Sequence, residues 1–235
     1  WLRAEIDRSG RGPVLVAGSV MAGEERPVLE ALELVAAQWP DTLLMLAPRR
    51  PERFEEAGEI VEQAGWSVVR RSSLSLDDGT SAGVLRRESG RRRTVLLLDS
   101  LGELAALYRL ADVTFVGGSL MPSGGHNPLE PAAFGIAPMF GPSMENFRDI
   151  AAEFLRAGAA VQVGSGATLG AACIAVTRLR QQFQCFRLNR QPRLTEAALL
   201  VAQGALQQST QCFDIECAQH VDAGAREQRT DDFKI

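Results

Sequence analysis

The sequence lacks the signals of several common functional classes. Its 235 residues carry a net charge of −4 and an isoelectric point near 5.4, so no excess of positive charge indicates a nucleic-acid partner. The four cysteines include no C-x-x-C pair, which argues against a zinc site or a redox motif. With two histidines and no cluster of carboxylates, we expect neither a metal nor a cofactor.

Two common phosphate-binding signatures are also absent. The loop GSVMAG at residues 18–23 fits neither G-x-G-x-x-G nor G-x-x-x-x-G-K-[ST], which disfavours classical dinucleotide binding and P-loop chemistry. No signal peptide is visible, and the chain begins with Trp1 rather than Met. We interpret it as a fragment of a longer protein.

Two stretches have unusual charge patterns. The basic run RRESGRRR at residues 86–93 is typical of a solvated loop, with an anionic surface partner as the alternative. Residues 157–177 carry no charge and have about the length of a membrane span, but glycine and serine interrupt them at 164–166. We interpret this stretch as a buried strand, a turn and a helix of small residues.

Apolar runs of strand length alternate with helical patterns over most of the chain. Strands are predicted at residues 13–19, 42–48, 66–72, 94–100, 112–118, 137–142 and 159–163. Helices are predicted at residues 24–40, 51–65, 101–111, 127–134 and 146–158. Buried strands separated by helices form parallel sheets, so the fold class is α/β, with a Rossmann-like doubly wound sheet.

We assign this domain to residues 1–165, and residues 166–235 to an atypical C-terminal segment with one helix at 195–208 and a disordered end. The sheet domain is expected to fold without the residues after about 170. Ligands of such sheets bind at the carboxyl ends of the strands. The candidate ligand loops are therefore residues 18–23, 48–51, 117–127 and 141–146.

The loop and helix start at residues 117–135, GGSLMPSGGHNPLEPAAFG, carry the most informative pattern. Gly117 and Gly118 end a strand, where glycine lets a ligand approach the main chain. Gly124 and Gly125 repeat this pair just before a helix. Asn127 is a good N-cap, and the free N–H groups of a helix start favour an anion. The loop is therefore suited to a phosphate.

The charged and titratable residues around this loop have two interpretations each. Glu130 accepts hydrogen bonds from two vicinal hydroxyls, as on a ribose, or it only complements the helix dipole. His126 is a capping or loop histidine, or else a catalyst. Arg49 and Arg50 end a strand and either clamp a phosphate or form a solvated pair.

Three blocks resemble a known family: VLVAGSVMAGEE, LLMLAPRRPERF and VTFVGGSLMPSGGHNPLEPAAFGIAPMFGPSMENFRDI. They closely resemble the C-terminal half of 3-deoxy-D-manno-octulosonic acid (Kdo) transferases of lipopolysaccharide assembly, over residues 14–163. That family has the GT-B glycosyltransferase architecture of two facing Rossmann-like halves. The resemblance implies that this half binds the donor CMP-Kdo. The half that it lacks would bind the lipid A precursor (lipid IVA) and carry the catalytic base.

The resemblance implies a donor-binding role for Gly18, Ser19, Arg49, Gly117, Gly118, Ser119, Gly124, Gly125, His126, Asn127, Glu130 and Asn146. In these roles Arg49 contacts the donor phosphate or nucleotide, and Glu130 holds the ribose. The first glycine pair with Ser119 forms a backbone wall, and the second pair with its neighbours forms a phosphate cradle. Residues 18 and 19 line the floor of the cleft.

The resemblance also implies a cellular location, and two alternative functions remain open. The full-length enzyme would act at the cytoplasmic face of the bacterial inner membrane, whereas this chain alone is expected to be inactive. The alternatives are a GT-B domain for a UDP- or GDP-sugar and a non-catalytic nucleotide-binding fragment. Three residues depart from the family, since Val20 and Met21 stand where it has Thr-His and Arg50 where it has His. The tail after residue 164 does not resemble the family's ending.

Overall fold

The structure is a computed structural model that describes residues 1–10, 12–74, 85 and 94–184. Its helices are α1 (Leu2–Ser9), α2 (Glu25–Gln38), α3 (Phe54–Gln63), α4 (Leu104–Tyr108), α5 (Leu129–Ala132), α6 (Arg148–Arg156) and α7 (Gly166–Gln184). Its strands are β1 (Val14–Val20), β2 (Leu43–Pro48), β3 (Ser67–Arg70), β4 (Thr94–Leu97), β5 (Val113–Val116), β6 (Pro138–Phe140) and β7 (Val161–Gln162). Single 3₁₀ turns lie at Pro51–Arg53, Arg71–Ser73 and Glu145–Phe147.

The described strands form one parallel sheet in the order β3-β4-β2-β1-β5-β6-β7. From β1 the chain forms β2 and the edge strand β3, inserts β4 between these two, and then crosses over to place β5 on the other side of β1. The predicted doubly wound Rossmann-like sheet is therefore confirmed. Its topological switch point lies between β1 and β5, where ligands of open α/β sheets bind beyond the carboxyl ends of the strands.

Helices cover both faces of the sheet. Alternate strand residues point to opposite faces, so each strand contributes to the core on both sides. On β1, Leu15 and Ala17 join the core beneath α2, α3 and α7. Val14 and Val16 join the core on the other face, beneath α1 and α4. A third core beneath α6 contains Val116 of β5 and Phe140 of β6. The apolar strands thus pack against helices on both faces of the sheet, as the sequence pattern predicts.

Two helices differ from the sequence prediction. The helix expected at residues 127–134 is reduced to the four residues of α5. Pro128 and Pro131 supply no backbone N–H, and Gly135, with φ 71°, ends the turn. The N-terminal helix α1 has no counterpart in the prediction, although Ile6 is buried in the core of its face.

Helix α7 belongs to the sheet domain. Leu169, Ala172, Cys173 and Val176 are buried in the core that they share with α2. The boundary expected at residue 165 thus does not separate α7 from the sheet, and the expectation that the domain folds without residues after 170 overlooks this packing. The strand, turn and helix expected at 157–177 are present. The basic run at 86–93, the helix at 195–208 and the tail lie outside the described residues.

No helix among the described residues combines the length and apolar character that a membrane span requires.

Candidate donor-binding site

The predicted site residues meet at one edge of the sheet. Gly18 and Ser19 lie near the carboxyl end of β1, Arg49 follows β2, and the loop at residues 117–127 follows β5. Asn146 lies in the 3₁₀ turn that follows β6. The strands β2, β1, β5 and β6 are neighbours, so the topology places all these segments side by side at the switch point.

The end of β1 has an unusual backbone. Its register against β2 shifts between Ala17 and Val20. Ser19, within this shift, has φ 54° and is the only non-glycine residue with positive φ among those that the structure describes. Such backbone strain concentrates at functional sites, where the surrounding structure holds it in place. The irregularity lies at the predicted cleft floor, and Val20 after it is again paired with Pro48 of β2.

The glycines of the site are required by packing between protein segments. A Cβ on Gly117 would lie 2.4 Å from the carbonyl oxygen of Ser19, and one on Gly118 would lie 2.8 Å from Cδ2 of His126. A Cβ on Gly124 would lie 2.4 Å from Nδ2 of Asn146. The expectation that these positions are bare for a ligand therefore gives an incomplete reason. The absence of a Cβ at these glycines lets the loops after β1, β5 and β6 approach one another.

The backbone donors of the predicted wall and of the two glycines of the cradle have protein acceptors. The N–H groups of Gly118 and Ser119 donate to the buried carboxylate of Glu24, at 2.6 and 2.9 Å. Gly124 donates to Oγ of Ser143 at 3.0 Å, and Gly125 donates to the carbonyl of Gly118 at 2.7 Å. These donors hold the loop together. The donor-binding roles of the wall residues stay a prediction.

The hydroxyl of Ser119 is also engaged. It donates to the carbonyl of Val116 at 2.5 Å and accepts the N–H of Gly141 at 2.8 Å. Ser119 is fully buried and joins the ends of β5 and β6. This side chain holds the two loops in place, and its contacts with protein leave it little capacity to bind a ligand.

Three N–H groups of the cradle remain available. The backbone N–H groups of His126, Asn127 and Glu130 find no acceptor among the residues that the structure describes. The side chain of Asn127 accepts the N–H of Leu129 at 3.0 Å, so it closes the start of α5 as a cap does. With a helix of four residues the dipole is small, and any anion here would depend mainly on these N–H groups.

His126 lies at the centre of the site with an unsatisfied nitrogen. Its Nε2 is buried and has no hydrogen-bond partner among the residues that the structure describes. Burial and the positive charge of Arg49 lower the pKa of His126, while the negative charge of Glu24 opposes this shift. The imidazole is therefore neutral near pH 7, and a neutral ring does not repel the guanidinium of Arg49. The electrostatic effect also places Arg49 close to the cradle.

Sequence reasoning missed Tyr108. Its hydroxyl oxygen lies 2.0 Å from where a Cβ on Gly18 would stand, so the ring covers the end of β1. Burial and the negative charge of Glu130 raise the pKa of Tyr108. The carboxylate of Glu130 thus lies close to the switch point. A lone tyrosine within an apolar helical pattern gives no signal for such a position.

The arginines after β2 have distinct surroundings. Arg49 and Arg50 are both exposed, and Arg50 forms a loose pair with the exposed Glu52 at 3.9 Å. Arg53 contacts the buried Glu25 at 2.6 Å, and this hydrogen bond raises the pKa of Arg53. The exposed guanidinium of Arg49 is thus the one that acts on His126 among the described residues, while Arg53 anchors the segment that carries it.

No group of three or more His, Cys, Asp or Glu side chains that could hold a metal ion occurs in the described part of the chain.

Comparisons with known proteins show which sequences and structures this chain resembles. No protein-family model matches the chain. The 3-deoxy-D-manno-octulosonic acid transferase of Haemophilus influenzae is 36% identical over 138 residues, which cover 59% of this chain and 30% of that protein. The transferase of the same name from Bordetella pertussis is 37% identical over 159 residues, 66% of this chain and 35% of that protein. The chain thus spans about a third of the length of these relatives.

A solved structure agrees with the sequence matches. The C-terminal CMP-Kdo binding domain of WaaA from Acinetobacter baumannii superposes with a TM-score of 0.63 at 28% identity, over 87% of this chain and 98% of that domain. The fold is the Rossmann-like α/β type that forms one half of GT-B glycosyltransferases. Sequence and structure together relate this chain to the C-terminal half of the 3-deoxy-D-manno-octulosonic acid transferases, a family of glycosyltransferases.

Proposed function

We propose that this chain is the donor-binding half of a Kdo transferase and binds CMP-Kdo at the carboxyl edge of β1 and β5. The observation that carries the proposal is the likeness to the CMP-Kdo binding domain of WaaA, because it extends over 98% of that domain. The switch-point position of the candidate residues agrees with it, since open α/β sheets bind nucleotides there.

In the proposed complex the donor phosphate lies against the free N–H groups of His126, Asn127 and Glu130. The exposed guanidinium of Arg49 adds a positive charge that a phosphate oxygen can approach. The carboxylate of Glu130 accepts hydrogen bonds from the ribose hydroxyls. Preorganised N–H donors and a guanidinium stabilise the negative charge that develops on CMP as it leaves.

The remaining steps belong to parts of the enzyme that the chain does not span. In the proposed reaction Kdo passes from CMP-Kdo to a hydroxyl of the lipid A precursor, lipid IVA, at the cytoplasmic face of the inner membrane. The acceptor and the base that deprotonates it are assigned to the N-terminal half, and no cofactor is required. On this proposal the chain binds the donor and transfers nothing alone.

Calorimetric titration of the chain with CMP, UDP, GDP and inorganic phosphate tests the donor. We expect CMP to bind most tightly of the four ligands. Arg49→Gln should weaken CMP binding by about tenfold, since a hydrogen bond to a charged group contributes about 1.5–3 kcal/mol. The neighbouring substitution Arg50→Gln is the matched control and should change little. Tighter binding of UDP or GDP would favour another GT-B donor, and no binding of any nucleotide would refute the proposal.

A further inference from the structure

Glu24 is a buried carboxylate with an unusual set of partners. It stands just before α2, and its side chain is inaccessible to solvent. One carboxylate oxygen accepts the N–H groups of Met21 and Gly118, at 2.9 and 2.6 Å. The other accepts the N–H groups of Ser119 and Leu120, at 2.9 and 2.8 Å. A buried charge requires such compensation, and here four backbone dipoles provide it.

The three consecutive N–H groups of residues 118–120 form a concave anion-binding nest. Nests of this kind hold phosphates at the ends of strands in many α/β proteins. In this chain the anion comes from the protein itself, because both oxygens of Glu24 are already inside the nest. A donor phosphate therefore has to bind beside the nest. The N–H groups of His126, Asn127 and Glu130, which have no acceptor among the described residues, are the candidates to hold it.

Glu24 also determines where those free groups lie. Gly118, held by Glu24, accepts the N–H of Gly125 through its carbonyl at 2.7 Å. Gly118 is also in close contact with the imidazole of His126. A short chain of contacts thus leads from the carboxylate to the start of the cradle. Since Met21 belongs to the loop after β1, the same carboxylate joins both sides of the switch point.

We propose that Glu24 is a positioning residue of the donor site: it fills the nest at residues 118–120 as a built-in anion and thereby holds the cradle for the donor phosphate. It touches no ligand itself. The part of this inference that concerns the donor depends on the proposed function. The part that concerns the nest stands on the four hydrogen bonds alone.

Replacement of the carboxylate by an added anion tests the nest. Glu24→Ala should lower the midpoint of thermal unfolding, and formate should restore it because formate can occupy the emptied nest. Chloride at the same ionic strength should not, and formate should not stabilise the wild type. Glu30→Ala, at an exposed carboxylate on α2, is the control that formate should leave unaffected. A variant that formate stabilises no more than chloride does would overturn the nest assignment.

The positioning role is tested by CMP binding. We expect Glu24→Ala to bind CMP at least about tenfold more weakly than the wild type, with part of the loss recovered in formate. Leu169→Ala, in the core beneath α7, provides a destabilised variant with an intact site. Leu169→Ala should bind CMP as tightly as the wild type does, at a temperature where Glu24→Ala and Leu169→Ala are both folded. Equal losses in both variants, or no loss in Glu24→Ala, would refute the role.

A second substitution covers the case in which Glu24→Ala does not fold. Glu24→Gln keeps the shape of the side chain but turns an N–H₂ group toward backbone N–H groups. Faster hydrogen exchange at residues 118–120 and weaker CMP binding are expected in this variant, and wild-type values of both would contradict the proposal. If the wild type itself binds no CMP, the proposed function fails, while the formate and exchange measurements still decide what fills the nest.

Discussion

At the scale of single residues, Glu130 is a carboxylate beside a site proposed for a phosphate. Its negative charge raises the pKa of the buried Tyr108, whose hydroxyl lies beside Gly18 on β1, and Glu130 itself is half-buried. A carboxylate there repels a phosphate but binds a pair of hydroxyls. Because the carboxylate repels one group and binds the other, we expect the phosphate to lie at the N–H groups and the ribose to lie at Glu130.

We therefore predict that Glu130→Gln weakens the binding of CMP by about tenfold, corresponding to the loss of about 1.5–3 kcal/mol from a charged hydrogen bond. Binding of inorganic phosphate should stay equal or improve, since the negative charge is gone. Calorimetric titration of both ligands measures the difference. The Glu130→Gln protein should also discriminate less against 2′-deoxy-CMP than the wild type does. Equal losses of affinity for CMP and for phosphate would mean that Glu130 only shapes α5.

His126 predicts a pH dependence of stability. Its folded pKa lies below the value of 6.5 for a free histidine because the ring is buried near Arg49. In acid the unfolded chain therefore binds a proton more readily than the folded chain does. The stability from the neutral ring is fully present above about pH 6.5 and is lost as the pH falls toward the lower folded pKa.

Unfolding free energies at several pH values, compared between the wild type and His126→Gln, measure this dependence. The difference between the two proteins should shift against the wild type as the pH falls from 7 to 5. A difference that stays constant over this range would show that the imidazole is not held neutral. An NMR titration of the ring provides a direct check on the same shift.

The sequence predicted which segments lie together at the switch point but not the contacts that hold them. The glycine pairs and the strand ends after β1, β2 and β5 follow from local patterns, since each strand is a short apolar run. Glu24 and Tyr108 escaped notice because their roles depend on partners about 90 residues away, Gly118 and Gly18. A glutamate before a helix is also explained by the helix dipole, so its pattern does not reveal the nest.

At the scale of elements, the close approach of β1 and β5 makes a prediction for Gly117. Its missing Cβ would meet the carbonyl of Ser19 at 2.4 Å, and a backbone atom cannot move aside as a flexible side chain does. Gly117→Ala should therefore cost about 1–3 kcal/mol or more of unfolding free energy. Gly164→Ala is the matched control, because open space surrounds that position. Denaturant unfolding of both variants decides, and similar stabilities would contradict the packing.

Helix α7 makes the second prediction at this scale. Leu169→Ala should destabilise the protein by about 2–5 kcal/mol, a large part of the 5–15 kcal/mol typical of a domain. Truncation after residue 170 keeps Leu169 but removes Ala172, Cys173 and Val176 from the core, so cooperative melting should be lost. Gln182→Ala, at an exposed position of the helix, should have little effect. A truncated chain that melts as cooperatively as the full chain would contradict this assignment.

The sequence prediction of elements was accurate for the sheet and weaker at its ends. Strands buried on both faces leave continuous apolar runs, and those runs predicted β1, β2 and β5. Helix α7 consists largely of small residues with a weak apolar stripe, so its packing on α2 was not visible from its composition. The length of α5 is limited by two prolines and a glycine whose combined effect the pattern did not reveal.

At the scale of the whole molecule, the proposed donor site would form one wall of the cleft between the two halves of a GT-B enzyme. The chain aligns with about a third of each curated transferase and presents an open edge of a sheet. A donor bound on one wall contacts fewer groups than a donor enclosed by two. The reaction also needs a base within about 2.6–3.2 Å of the acceptor hydroxyl. At this edge Glu24 is enclosed by backbone N–H groups, and Nε2 of His126 is buried.

We therefore predict that the chain transfers no Kdo from CMP-Kdo to lipid IVA, even at concentrations that saturate CMP binding. Fused behind the N-terminal half of the Haemophilus influenzae transferase, it should support transfer, detected as acceptor that has gained one Kdo or more by mass spectrometry. The Glu130→Gln version of the fusion should be slower at low donor concentration, because donor binding is what this residue supplies. Transfer by the chain alone would place a competent base on this half and overturn the assignment of the base to the other one.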